Sequence, residues 1–177
     1  MSLAQAAVAR DIAGVAVADT TSVPGTATTL VLNGAGLRTK LFVKVYVAAL
    51  YLTAVSRDAD QLIGADAPRR LSMNFVRDVS GKKMADAWHD GFSANHTPEQ
   101  LKPLQARIAD FVTLFGDVAA GDSIWLDYLP GSGTRVSLNN RELGTIPGKD
   151  FNDALLRIWL GKQPVAVDLK KALLGIN

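Results

Sequence analysis

Residues 41–53 read LFVKVYVAALYLT and give the strongest strand signal in this chain of 177 residues. The stretch is rich in valine and aromatic residues, and β-branched and aromatic side chains favour extended backbone. Both alternating faces of the predicted strand are largely apolar, which is typical of a strand that is buried on both sides. We therefore expect residues 41–53 to form a central strand of a sheet.

Weaker strand and turn signals lie on both sides of this segment. Residues 70–77 alternate apolar and polar side chains, which predicts a half-buried strand. Asn139-Asn140 predicts the turn of a hairpin, because asparagine tolerates positive φ. Pro24-Gly25 and residues 33–36 (NGAG) predict breaks in the chain. The other predicted strands are residues 12–18, 28–33, 123–129, 134–138 and 143–146.

Capping signals and helical spacing of apolar residues predict the helices. Ser80 is expected to cap a helix that stops near Asn95. Residues 97–100 (TPEQ) form a capping box with proline at the first helical position, and the helix that follows is expected to end at Gly116. The other predicted helices are residues 58–64, residues 150–160 with Gly161 at the C′ position, and a last helix capped by Asp168 and running through Leu174.

This order of elements predicts an α+β fold, in which helices cover one face of a large antiparallel sheet. The chain is of a length that suits a single domain, which we place at residues 12–177 after a disordered leader of residues 1–11. Ala4-Gln5-Ala6 matches the small-x-small pattern that precedes a signal-peptidase cut. We therefore expect the leader to be the remnant of a signal peptide and the protein to be exported, for example to the periplasm.

The composition excludes several classes of site. The chain has no cysteine and only two histidines, so thiolate metal sites and histidine clusters are not expected, and we predict neither a metal nor a cofactor. The net charge of +2 is too small to argue for a nucleic-acid partner. The longest apolar stretch, residues 41–55, is shorter than the ~20 residues of a membrane-spanning helix, so no integral membrane segment is predicted.

Three segments in order resemble the bacterial chalcone isomerase-like proteins. They are LNGAGLRTKLFVKVYVAALYL (32–52), LDYLPGSGTRVSLNNRELGTIPGKDF (126–151) and ALLRIWLG (154–161). The resemblance implies an open-faced β-sandwich, in which a large antiparallel sheet packs against a layer of helices with a cleft between them. The family includes plant enzymes that cyclise chalcones, plastid proteins that bind fatty acids, and members without known catalysis, so the fold alone does not decide the function.

The resemblance also implies where catalytic groups would lie. The plant enzymes use an arginine, a threonine, a tyrosine, an asparagine and a serine or threonine, and only the arginine is kept here, as Arg38. The other four positions correspond to Tyr46, Met84, Gly91 and Ile158. Because each lost donor in such a site costs about two or three orders of magnitude in rate, we predict no catalytic residues and expect no chalcone isomerase activity, while leaving another enzymatic activity open.

Fatty-acid-binding relatives hold the ligand carboxylate with an arginine and a tyrosine from the same segment, which correspond to Arg38 and Tyr46. We therefore predict a small amphiphilic ligand, such as a fatty acid, in the cleft. Gly91 is expected to widen that cleft. The remaining lining is assigned to Met84, Trp88 and Ile158.

Three alternatives remain at this point. The protein could be a scaffold whose cleft is filled by Trp88, Trp159 and Phe92. Arg38 could instead pair with an aspartate at a sheet end, and Tyr46 could be an ordinary core residue. The eight residues from Arg38 to Tyr46 span ~26 Å in a single strand, so the two side chains can share a carboxylate only if the chain turns, which we place at Thr39-Lys40.

Asp127 is expected to be a solvent-facing strand residue or a turn partner.

Overall fold

The computed structural model describes residues 9–176, which contain nine strands and six α-helices. The strands are β1 (Ala9–Ile12), β2 (Val15–Ala18), β3 (Thr20–Ser22), β4 (Thr29–Lys40), β5 (Val43–Leu52), β6 (Arg69–Phe75), β7 (Ser123–Leu129), β8 (Gly133–Leu138) and β9 (Arg141–Ile146). The helices are α1 (Ala59–Gly64), α2 (Gly81–Asn95), α3 (Pro98–Leu101), α4 (Gln105–Thr113), α5 (Lys149–Leu160) and α6 (Val167–Leu173).

Strands β3 to β9 form one antiparallel sheet in which every strand pairs with its neighbours in sequence. The helices pack on one face of this sheet and share one hydrophobic core with it. The predicted α+β fold with an antiparallel sheet and a helical layer is therefore confirmed.

The opposite face of the sheet carries a second, smaller core, which explains why both faces of β5 are apolar. Ala48 and Leu50 face the helices, whereas Val47 and Ala49 face the other way. The β1–β2 hairpin contributes Val17 to this second core. The expectation of a strand buried on both sides is thus confirmed, and a small hairpin provides the second cover.

Three predicted segments differ from the structure because of local turns and helix contacts. Residues 12–18 are split by a turn at Ala13-Gly14 into β1 and β2. The predicted strand 41–53 begins only at Val43, because Leu41 and Phe42 form a turn with positive φ. No break occurs at residues 33–36, which lie inside β4.

The glycines of β4 serve helix packing rather than a turn. A Cβ on Gly34 would lie 2.0 Å from the backbone oxygen of Ala172 in α6. A Cβ on Gly36 would lie 2.7 Å from the Cβ of the same alanine. Glycine therefore lets α6 approach the sheet closely, and β4 continues through this segment with a shift of register against β5 between Leu32 and Gly34.

Several predicted helix ends also need correction. The helix after the capping box is interrupted by a 3-10 turn that contains Pro103, which has no N–H to continue the helical ladder, and the last part ends at Thr113 rather than Gly116. The final helix is capped at Ala166, so Asp168 lies in its first turn. Gly161 is extended at the end of α5, and its missing side chain makes room for Asn95, whose Oδ1 would lie 2.3 Å from a Cβ.

The first strand begins at Ala9, three residues before the predicted start of the domain at residue 12. Residues 1–8 lie outside the described part of the chain. The predictions of a disordered leader and of export depend on those residues, so both stay predictions.

The contact between β4 and α6 gives a direct test of the fold. Gly34→Ala would force its Cβ against the backbone of α6, and we expect the free energy of unfolding to fall by roughly 1–3 kcal/mol or more. Gly64→Ala is the matched control, because nothing lies within 4 Å of its Cβ position in α1. Urea denaturation should show the control unchanged or stabilised by up to about 1 kcal/mol, and equal losses in both variants would contradict the packing argument.

Candidate functional site

Arg38 and Tyr46 lie directly opposite each other in the β4–β5 hairpin. The chain reverses at Leu41 and Phe42, not at the predicted Thr39-Lys40 turn. Opposed residues of an antiparallel pair share a face of the sheet, with Cβ atoms about 4.5–5.5 Å apart. The two side chains can therefore act on one ligand group, although eight positions separate them in sequence.

A β-bulge in β5 produces this pairing. Thr39 pairs with Lys44, whereas Arg38 pairs with Tyr46, so Val45 is an extra residue on the β5 side. In a regular ladder Arg38 would oppose Val45, and Tyr46 would point to the other face. The bulge thus brings both polar side chains to the helix side.

Tyr46 is buried in the main core, where its Oη accepts a hydrogen bond of 2.9 Å from Trp159 Nε1 of α5. Burial raises the pKa of Tyr46 to about 12, and the opposing effects of the Trp159 hydrogen bond and the Arg38 charge are smaller. The phenol is therefore neutral near neutral pH. It can donate its proton in a hydrogen bond but is not a base.

A cavity of about 640 Å³ opens beside this pair, with walls from the sheet, α2 and α5. This volume lies within the range of about 300–1,000 Å³ that is typical of small-ligand sites. The inner wall is apolar and includes Met73, Phe75 and Val165. The ring of Phe75 meets that of Tyr46 edge to face at 5.6 Å.

Charged side chains of both signs surround the mouth of the cavity. Arg38 is half-buried and donates a hydrogen bond to the Thr39 carbonyl. Within residues 9–176, no carboxylate lies within 4.0 Å of the Arg38 guanidinium, which argues against the alternative of an aspartate partner. The other lining cations are Lys40, Arg77 and Lys83, and the lining anions are Asp78, Asp86 and Asp90.

Three of the predicted lining residues, Met84, Trp88 and Ile158, contribute to the cavity walls together with Tyr46. Trp88 lies edge to face with Trp159, at a centroid distance of 6.0 Å. Its Nε1 is buried and has no hydrogen-bond partner among the described residues. An unpaired buried donor costs about 1–3 kcal/mol, so a ligand atom that accepts from this N–H would remove that cost.

Gly91 lies outside the cavity wall and does not widen it. A Cβ on Gly91 would lie 2.9 Å from three carbon atoms of Ile158. The missing side chain instead lets α2 and α5 pack closely. Ile158 fills that space and presents its remaining surface to the cavity.

The alternative of a filled cleft required three aromatic side chains to close the space. Trp88 and Trp159 form walls of the cavity instead. Phe92 packs elsewhere in the core, with its ring 5.8 Å from that of Phe151. The cleft of this structure is therefore not filled by these residues.

Sequence reasoning treated Trp159 only as a possible filler of the cleft and missed its hydrogen bond to Tyr46. The predicted helix of residues 150–160 includes Trp159, but a helix prediction does not distinguish a core residue from a hydrogen-bond donor. The expectation for Asp127 was wrong. It is buried and forms an ion pair of 2.6 Å with Arg70, whose guanidinium lies over the ring of Trp125.

Residues 9–176 contain no group of three histidine, cysteine or acidic side chains placed to hold a metal ion. Among the helices of the same range, none combines the length and the apolar character needed to cross a bilayer.

A family model described as chalcone isomerase-like matches residues 9–175. The chain belongs to the chalcone isomerase-like family. The resemblance seen in the sequence is thereby confirmed over nearly the whole length of this chalcone isomerase-like protein.

Among solved structures, this family member is similar to a fatty-acid binding protein of Arabidopsis thaliana. The TM-score is 0.67 with 16% sequence identity, and the alignment covers 88% of this chain and 95% of the other. At this identity the likeness concerns the fold, and it confirms the predicted chalcone isomerase-like architecture. No curated protein matches the chain in sequence.

Because the pKa of Tyr46 is raised in the folded protein, the stability of the protein should decrease at alkaline pH. Because the folded phenol keeps its proton up to about pH 12 and an unfolded tyrosine loses it near pH 10, stability should fall as pH rises above about 10. Tyr46→Phe should show a shallower decline. At neutral pH it should be less stable by about 1–3 kcal/mol, since Trp159 Nε1 loses its acceptor.

The measurement is urea denaturation over a series of pH values. The Tyr46→Phe variant still contains Tyr51 and Tyr128, whose pKa values burial also raises, to about 12 for Tyr128. A decline of unchanged slope in Tyr46→Phe would therefore assign the alkaline effect to those residues and contradict the prediction.

Proposed function

We propose that this protein binds a fatty acid or a similar amphiphilic anion in the cavity and releases it unchanged. The observation that carries the proposal is the pairing of Arg38 with Tyr46 at one end of an apolar cavity. A charged group beside an apolar wall suits a ligand with a carboxylate head and a hydrocarbon tail.

Three side chains that line the cavity provide hydrogen-bond donors. Arg38 is cationic, the Tyr46 phenol is neutral, and Trp88 carries a buried N–H without a partner among residues 9–176. An anion that accepts hydrogen bonds complements such a group of side chains. The fatty-acid binding protein of Arabidopsis thaliana, which shares the fold, supports the same ligand class.

The two ends of the ligand would contribute differently to binding. Each buried methylene contributes ~0.8 kcal/mol, so a long tail provides most of the affinity. A charge-assisted hydrogen bond contributes ~1.5–3 kcal/mol. The carboxylate would therefore distinguish acids from neutral lipids by about tenfold or more.

The proposal excludes isomerisation because three of the five positions that correspond to catalytic groups of the plant enzymes have no polar side chain. Met84 and Ile158 present hydrocarbon and sulfur to the cavity, and Gly91 contributes no side chain. Of the five positions, only Arg38 and Tyr46 could donate a hydrogen bond to an enolate formed during cyclisation. These two suffice to hold a carboxylate but leave most of the oxyanion stabilisation absent.

Calorimetric titration of delipidated protein with palmitate tests the proposal. The wild type should bind saturably, and Arg38→Ala should weaken binding by about tenfold or more. Binding of hexadecanol, which has the same tail but no carboxylate, should be weaker in the wild type and unaffected by Arg38→Ala. Failure of the wild type to bind either compound would overturn the proposed function.

Arg141→Ala is the matched control, because Arg141 is exposed on β9 and does not line the cavity. It removes the same charge and should bind palmitate as the wild type does. An equal loss of affinity in both arginine variants would show that the effect comes from net charge and not from a carboxylate site at Arg38.

A further inference from the structure

Three β-hairpins of this chain have two-residue turns, and in each turn both residues have positive φ. These turns are Ala13-Gly14, Leu41-Phe42 and Asn139-Asn140. Glycine and asparagine suit such turns, because they adopt positive φ at low cost. Leucine and phenylalanine do not, so the β4–β5 turn has the sequence least suited to its backbone.

The Asn139-Asn140 turn has nearly the same backbone conformation as the Leu41-Phe42 turn. The φ values are 51° and 66° at Leu41 and Phe42, against 50° and 67° at the two asparagines. The same backbone is thus built once with favourable residues and once with bulky apolar ones. Strain of this kind persists mostly where a residue serves a function.

Packing within the protein does not explain the two residues. Phe42 is 101% exposed and Leu41 is 84% exposed, the two highest values among the exposed large apolar residues. The side chain of Phe42 therefore gains nothing from the core. A residue that is disfavoured by the turn and unused by the fold indicates contact with something outside this chain.

We propose that the Leu41-Phe42 turn inserts into the surface of a bilayer containing anionic lipids. Lys40 and Lys44 flank the turn, and both are exposed. Apolar residues at a tip with lysines behind them suit the boundary between acyl chains and anionic head groups. The long lysine stems allow the ammonium groups to stay at the head-group level while the tip enters.

The shape of the tip favours a bilayer over a protein partner. Stable protein–protein contacts bury about 800 Å² on each side, whereas the exposed apolar surface at this turn comes from Leu41, Phe42 and the partly exposed Val43. The acidic residues Asp86 and Asp90 lie on α2 at the cavity rim. They would disfavour deep contact of that wall with anionic lipid, so the tip alone should enter.

The tip is continuous with the mouth of the cavity. Lys40, Leu41 and Val43 all contribute to the cavity lining. A tip inserted in the membrane would therefore place the mouth beside the lipid surface, where an amphiphile could pass without crossing bulk water. This route deepens the proposed function, whereas vesicle binding itself does not require the ligand to be a fatty acid.

Co-sedimentation with vesicles tests the inference. The wild type should bind vesicles of phosphatidylcholine mixed with phosphatidylglycerol, and Phe42→Gly should lower the partition coefficient by about tenfold or more. Since glycine relieves the positive φ at this position, the same variant should be at least as stable as the wild type in urea. Loss of vesicle binding together with maintained stability would separate a membrane contact from a structural role.

Two further variants define the contributions of charge and of simple exposure. Lys44→Glu should lower partition by about fivefold or more, and phosphatidylcholine vesicles without anionic lipid should bind the wild type weakly. Val55→Ser removes another exposed apolar side chain, 72% exposed and distant in sequence from the turn, and should leave partition unchanged.

Each contrary result has a definite meaning. Unchanged vesicle binding by Phe42→Gly, or equal binding to both vesicle types, would overturn the inference. If the wild type ignores vesicles but self-associates in sedimentation velocity and Phe42→Gly does not, the tip contacts a second copy and the membrane inference is wrong.

The test is independent of the ligand. Phe42 does not line the cavity, so Phe42→Gly should bind palmitate in solution as the wild type does. Vesicle binding without palmitate binding would overturn the proposed function alone. Palmitate binding without vesicle binding would overturn this inference alone.

Discussion

The arrangement of the site depends on one extra residue in β5. Side chains alternate between the two faces of a sheet, so a shift of one position exchanges the faces of every residue beyond it. The bulge at Val45 makes that shift immediately after the β4–β5 turn. Tyr46 thereby faces the helices, and the residues that follow it supply alternately the main core and the smaller core on the other face.

The same two strands divide the helix face into a packed part and an open part. Gly34 and Gly36 bring α6 close to β4, so no space remains above them. Two residues further along, Arg38 stands where the helical cover ends and the cavity begins. The position of the cavity is thus set by the two glycines, which lie under α6, and by Arg38, which lies just beyond that helix.

The fold could be predicted from sequence to a large extent because its signals are local. Alternation predicted β6, Asn139-Asn140 predicted the turn of the last hairpin, and the capping box located α3. The errors came from contacts distant in sequence. The glycines of β4 were assigned to a turn because their partner, Ala172, lies more than a hundred positions away.

The site was predictable only in part, for a related reason. The family resemblance indicated Arg38 and Tyr46. Neither a bulge nor a strained Leu41-Phe42 turn has a recognisable sequence pattern, so the pairing of Arg38 with Tyr46 across the hairpin could not be derived. The role of Gly91 depends on its contact with Ile158. The burial of Asp127 depends on Arg70 from another strand.

The hydrogen bond between Tyr46 and Trp159 joins residues 113 positions apart. Contacts this distant in sequence form only after a large loss of chain entropy, whereas hairpins close locally. The polar pair at the cavity mouth can therefore assemble within the β4–β5 hairpin while the chain is still being synthesised. The apolar wall is complete only after α5 has been made and has docked, so the cavity acquires its polar pair before its apolar wall.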